Sequence, residues 1–233
     1  MRPIERGCYP KDPKAHTDKV YQTYAEAKRD LIERLGEYCS YCETRLNASL
    51  AVEHVQPKIH HPNLELDWHN FLLACTNCNS TKGSQDIVLD DYYWPDIHNT
   101  FMAFQYFEGG RVVVHPDLTK AQSDKAKRMI HLVGLDKTPD KPEASDRRWQ
   151  NRKEVWEIAQ MNLKRLENTT NKSNYGKAIV DMAKGYGFWS IWTTVFRNHP
   201  EILQGLMTEF VGTYQAGFDK SNNYAPIPRT KEL

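Results

Sequence analysis

The chain has 233 residues, enough to bury a sizeable core in one domain or two small ones. Hydrophobic residues make up 39% and charged residues 26%, which argues against both a disordered chain and a membrane protein, and no apolar run approaches the roughly 18 residues of a bilayer span. The formal net charge of +1 lacks the cationic excess that usually supplies unaided affinity for nucleic acid, so any such partner has to be argued from local residues.

The opening string MRPIERGCYPKDPKAH has no apolar signal region, and a cytoplasmic protein is expected. In a reducing compartment its cysteines are read for metal binding or catalysis before disulfides. In the N-terminal unit, 1–36, Val20, Tyr24, Ala27, Leu31 and Leu35 recur at helical spacing. They predict a helix over 17–35, with Thr17 as N-cap and Gly36 as the stop. The next unit, 37–90, reads as a Cys39–Cys42 turn, a strand at 51–55, an irregular His/Pro stretch, a strand at 71–74 and a helix in 76–84. In 91–136 a hairpin is expected from 101–107 and 111–114 around Glu108-Gly109-Gly110, followed by a helix at 121–133.

From 137 to 233 the pattern is mostly helical, with candidates at 145–166, 175–186, 188–198 and 201–216, after a proline-bearing linker at 137–142. Trp149, Trp156, Ala159, Leu163 and Leu166 read as a core stripe. The cluster Phe188, Trp189, Ile191, Trp192, Val195 and Phe196 reads as core or as a partner-binding face. Arg147, Arg148, Arg152 and Lys153 read as a solvated basic patch, with phosphate contact as the alternative. The expected class is α+β, a strand-strand-helix core followed by a helical C-terminal region.

Chemistry concentrates in the second unit. Cys39-Ser-Tyr-Cys42 and Cys75-Thr-Asn-Cys78 are two C-x-x-C pairs separated by 32 residues. Four thiolates suit a closed tetrahedral structural zinc site, with packed or redox cysteines as the alternatives. The insertion between the pairs is too long for a minimal ribbon and carries Glu53-His54 and Asn70; Asn79 and Lys82 follow it. Taken singly, these are ordinary surface, turn and helix-end residues. Cys8 stands apart and reads as a free thiol.

Together, the strings YCSYC, VEHVQPK and NFLLACTNCNSTKG resemble the zinc-knuckle branch of the His-Asn-His (HNH) endonucleases, whose core is a ββα-metal unit. The resemblance covers 39–83. It implies that His54 is the general base and that Glu53 and Asn79 ligate a catalytic Mg2+ or Mn2+. It further implies that Asn70 orients the loop bearing His54, and that Lys82 meets a phosphate or developing negative charge. Lys58 and Lys82 are the implied nucleic-acid contacts. Two features depart from the family pattern: the acid is Glu53 where many members carry Asp, and 58–62 replaces a glycine-rich turn, with His60 and His61 as possible extra ligands. The wider arrangement is similar to HNH subunits of Septu-type anti-phage systems, some of them retron-associated, which act with an ATPase partner. The implied activity is hydrolysis of phosphodiester bonds in DNA, less favourably RNA. The alternative is a non-catalytic zinc-stabilised module that binds nucleic acid or protein.

Overall fold

The computed structural model describes residues 1–138 and 146–233. At its centre, strand β1 (Leu50–His54) pairs antiparallel with β2 (Phe71–Cys75), in a register that sets Leu50 opposite Cys75 and His54 opposite Phe71. Every residue of β2 is buried, as expected for a continuous apolar run inside a core. Helix α2 (Thr76–Lys82) follows without a loop, because Cys75 caps it: the Cys75 sulfur accepts from the Cys78 backbone N–H at 3.4 Å. Gly83, at φ 57°, ends it. The expected strand-strand-helix unit is therefore present, and the class is α+β.

The N-terminal helix is shorter than its periodicity predicts. Helix α1 (Ala27–Leu35) begins after a 3-10 turn at Tyr24–Glu26. Upstream, Asp12 accepts from the backbone N–H groups of Lys14 and Ala15, both at 2.8 Å, and its own N–H donates to the Thr17 carbonyl at 2.9 Å. With the Lys19 N–H donating to the Pro10 carbonyl at 2.8 Å, the segment folds back on itself and 17–19 pairs with 10–12 in place of starting a helix. Thr17 is thus not an N-cap, and Val20 is 79% exposed.

The hairpin forms as expected, from β3 (Phe104–Phe107) and β4 (Arg111–Val114). Its turn rests on the N-terminal end of α4 (Arg148–Asn168), where Arg152 Nε donates to the Gly110 carbonyl at 2.8 Å. Gly110 has φ 75°, and a Cβ there would lie 2.0 Å from the Trp149 carbonyl oxygen. Gly110→Ala is therefore expected to destabilise the fold by about 2 kcal/mol or more, read as a lower denaturation midpoint, since left-handed strain and a backbone clash add.

Helices α3 (Lys120–Leu132), α5 (Lys172–Tyr186), α6 (Trp189–Val195) and α7 (Pro200–Glu209) complete the helical part, with a short β5/β6 pair (Phe218–Asp219, Ala225–Pro226). The 188–196 cluster is interior: Trp189 packs edge-on against Phe101 and Phe218 at 5.3 and 5.6 Å, and Trp192 stacks on Phe196 at 6.1 Å. This overturns its reading as a partner face. The buried stripe of α4 is Arg148, Arg152, Val155, Ala159, Asn162 and Leu166, so the tryptophan-led stripe is rotated and Trp149 and Trp156 sit at its margin. Arg148 and Arg152 are inside, not on a solvated patch.

Long-range polar contacts tie the predicted units together. Buried Glu43 accepts from Arg2 N, Tyr106 Oη, Ser190 N and Ser190 Oγ at 2.9, 3.0, 2.7 and 2.7 Å. The Arg2 guanidinium donates to the carbonyls of Leu35, Phe210 and Val211 at 2.7, 3.1 and 2.8 Å, joining the ends of α1 and α7. Of the expected linker, 139–142 lies outside the described residues. No helix among the described residues is long and apolar enough to cross a membrane.

Candidate active site and metal centre

The four knuckle cysteines converge. The sulfurs of Cys39, Cys42, Cys75 and Cys78 all lie within 4.8 Å of one another, buried and without a disulfide, and Cys42 and Cys75 approach to 3.6 Å. Tetrahedral zinc with bonds of about 2.3 Å separates its sulfurs by about 3.8 Å, so the set fits the ion. Burial raises the Cys39 and Cys78 thiols above the usual range, while hydrogen bonds from the three neighbouring cysteines push Cys42 below it. One arginine, Arg148, reaches the cluster from α4 and donates through Nη1 to the Cys78 sulfur at 2.8 Å. Cys8 is free and exposed.

Beside the cluster, at the far end of β1, a cleft of about 300 Å³ is lined by Tyr24, Glu53, His54, Lys58 and Asn79 among others. His54 is the last residue of β1. Its Nε2 lies 2.9 Å from the Glu65 carbonyl oxygen, which can only accept, so Nε2 carries the hydrogen and Nδ1 keeps a lone pair. The ring stands edge-on to Tyr24 at 5.0 Å and to Phe71 at 5.3 Å. Burial lowers its pKa below the ordinary imidazole value, which keeps the ring neutral and proton-accepting near pH 7.

Asn70 closes the loop that follows His54. Its Oδ1 accepts from Gln56 N at 2.8 Å, and its Nδ2 donates to the carbonyls of Gln56 and Leu64 at 2.9 and 3.1 Å. The side chain thus spans both ends of the loop. Within it, His60 Nε2 lies 2.9 Å from the Ser84 carbonyl and His61 Nε2 lies 3.6 Å from Asp86, contacts that bind the loop to the chain after α2. Lys58 pairs with Glu65 at 2.7 Å and lies over the Tyr24 ring at 4.6 Å, at the rim of the cleft.

Glu53 and Lys82 form a buried pair, 3% and 1% exposed, at 2.9 Å. Beyond this ion pair, Glu53 Oε1 has no hydrogen-bond partner among the described residues. Burial raises the Glu53 pKa, against the pull of Lys82. A buried carboxylate on a cleft that also holds Asn79 suits a hard divalent cation. Lys82 corrects an expectation. Its amine turns inward and donates to the His54 carbonyl at 2.8 Å, so it braces Glu53 and the end of β1 and does not face a phosphate in solvent.

Lys82→Met is accordingly expected to cost about 3–5 kcal/mol, because an unpaired carboxylate stays buried. The measurement is chemical denaturation without added magnesium or manganese. A phosphate-binding lysine would instead leave stability unchanged and weaken substrate binding. Sequence reasoning missed two residues here. Tyr24 lies upstream of both C-x-x-C pairs and carried only a helical-face signal, and Arg148 read as a surface cation.

A family model described as HNH endonuclease matches residues 39–85. The chain is 42% identical over 62 residues to the Septu protein PtuB of Bacillus thuringiensis, an alignment that covers 25% of this chain and 24% of that protein. The chain therefore matches about a quarter of the length of that curated relative.

Proposed function

We propose that the chain is an HNH endonuclease, on the strength of the family match over residues 39–85, and that it hydrolyses phosphodiester bonds of nucleic acid, DNA in preference to RNA. The observation that carries this reading is the shared cleft: a neutral imidazole with a fixed tautomer beside a buried carboxylate. His54 Nδ1 accepts the proton of the attacking water, and the Glu65 carbonyl holds the ring as its charge develops. Asn70 fixes the loop that supplies that carbonyl, and Tyr24 and Phe71 restrict the ring's rotation. Glu53 and Asn79 would hold Mg2+ or Mn2+, which supplies charge stabilisation at the phosphate oxygens. Lys58, at the rim, would meet the nucleic-acid backbone by exchanging Glu65 for a phosphate.

The match to a Septu protein supports a role in anti-phage defence. We place the protein in the cytoplasm with an ATPase partner, which would provide the recruitment that a net charge of +1 does not. Because the 188–196 cluster is core, that partner has to dock elsewhere. The test is cleavage of plasmid and of total RNA by the purified protein with magnesium or manganese, with and without a Septu-type ATPase as the proposed partner. Metal-dependent cleavage that strengthens with the ATPase supports the reading. Absence of cleavage of either substrate under all conditions overturns it.

A further inference from the structure

Helix α4 enters the core with two arginines on its buried face. Arg148 and Arg152 are 4% and 1% exposed, and residues four apart on a helix lie on one side of it. Arg148 is fully engaged: besides the Cys78 sulfur it donates to the carbonyls of Val133 and Gly134 at 2.8 and 3.0 Å and, through Nε, to Asp146 at 2.9 Å. Arg152 is not. It donates to the carbonyls of Gly110 and Leu135 at 2.8 and 3.1 Å, its Nη1 has no partner, and no carboxylate among the described residues forms an ion pair with it.

A guanidinium buried without a counter-charge is strongly disfavoured and, unlike lysine, does not escape by losing its proton. The sulfur cluster is reached from the same face of α4. Arg148, one turn before Arg152 on the same buried face, donates directly to the Cys78 sulfur at 2.8 Å. Four thiolates around a divalent zinc carry a net charge of about −2, which in a buried site needs cations of its own. Arg148, Arg152 and Asp146 together contribute about +1, which offsets half of it.

We propose that Arg148 and Arg152 are the counter-charges of the zinc tetrathiolate, so that zinc retention is set by the first turns of α4 as well as by the two knuckles. They act as positioning residues, outside the ligand set. The metal centre and the C-terminal helices are then one electrostatic unit: the ion holds 148–152 in place and the arginines hold the ion. The inference rests on the four-cysteine zinc reading and is independent of nuclease activity.

The experiment is transfer of zinc from the full chain to a chromogenic chelator at fixed pH. It compares wild type, Arg148→Gln, Arg148→Lys, Arg152→Met and, as a surface control, Arg147→Gln. Release is expected to quicken about tenfold or more in Arg148→Gln and Arg152→Met, the scale of losses for partners that support metal ligands. Arg148→Lys is expected to lie between, and Arg147→Gln to match wild type. Equal release from wild type and folded Arg148→Gln and Arg152→Met overturns the proposal. Should those variants not fold, hydrogen exchange across 148–155 of wild type decides: loss of protection on zinc withdrawal supports it and unchanged protection overturns it. Wild type isolated folded without zinc overturns the metal-centre reading itself.

Discussion

Replacing His54 by alanine is expected to lower cleavage by at least about 100-fold, the usual contribution of a positioned general base, with zinc content and melting temperature close to wild type. The stability half follows from what His54 touches. Its ring makes edge contacts with Tyr24 and Phe71 and one hydrogen bond to the Glu65 carbonyl, on a surface cleft that water can refill. The Lys82 amine is bonded to the backbone carbonyl of His54, which alanine retains, so the Glu53–Lys82 brace survives. The activity half follows from Nδ1: among the described residues no other imidazole lines the cleft, and neither Lys58 nor Asn79 is a neutral base. Cleavage assays on the pure variant, with elemental analysis and a thermal melt alongside, read both halves. Wild-type turnover would remove His54 from the role of base, and a large drop in melting temperature would show that the loss of activity is structural.

The part of this architecture that sequence reveals is the part written in local pattern. The buried run of β2, the paired C-x-x-C spacing and the glycine turn of the hairpin each determine their geometry from neighbouring residues, and each appears as expected. What stays hidden depends on distant partners. Lys82 stands at the end of a short polar helix, where lysine is ordinarily solvated, and only the pairing of β1 with β2 shows that its stem runs inward to Glu53. Arg148 and Arg152 count as polar in any helical pattern, so a buried face that includes them is misread in favour of Trp149 and Trp156. Tyr24 reaches His54 from a different unit of the chain. In 17–19 the reverse occurs: backbone bonds of the Thr17 carbonyl with Asp12 N–H and of Lys19 N–H with the Pro10 carbonyl defeat a helical periodicity that extends too far upstream.

Changing Cys75 and Cys78 together to serine is expected to abolish zinc binding and to cost the fold most of its stability. Wild type should hold one zinc per chain. Structural zinc binds small knuckle peptides with an apparent free energy on the order of 10 kcal/mol, comparable to the whole stability of a typical domain. Here the loss propagates further, because Cys75 serves three elements at once. It is the last residue of β2, it pairs across to Leu50 at the start of β1, and its sulfur caps α2. With the sulfur set broken, α2 loses its anchored end, and with it the placement of Asn79 and of the Lys82 amine that braces Glu53. Arg148 then loses its sulfur acceptor, which carries the disturbance into α4. The expected result is insoluble protein or a melting temperature lower by more than about 10 °C, measured with zinc content by elemental analysis. A double variant that melts like wild type, or folded wild type containing no zinc, would show that the four cysteines merely pack.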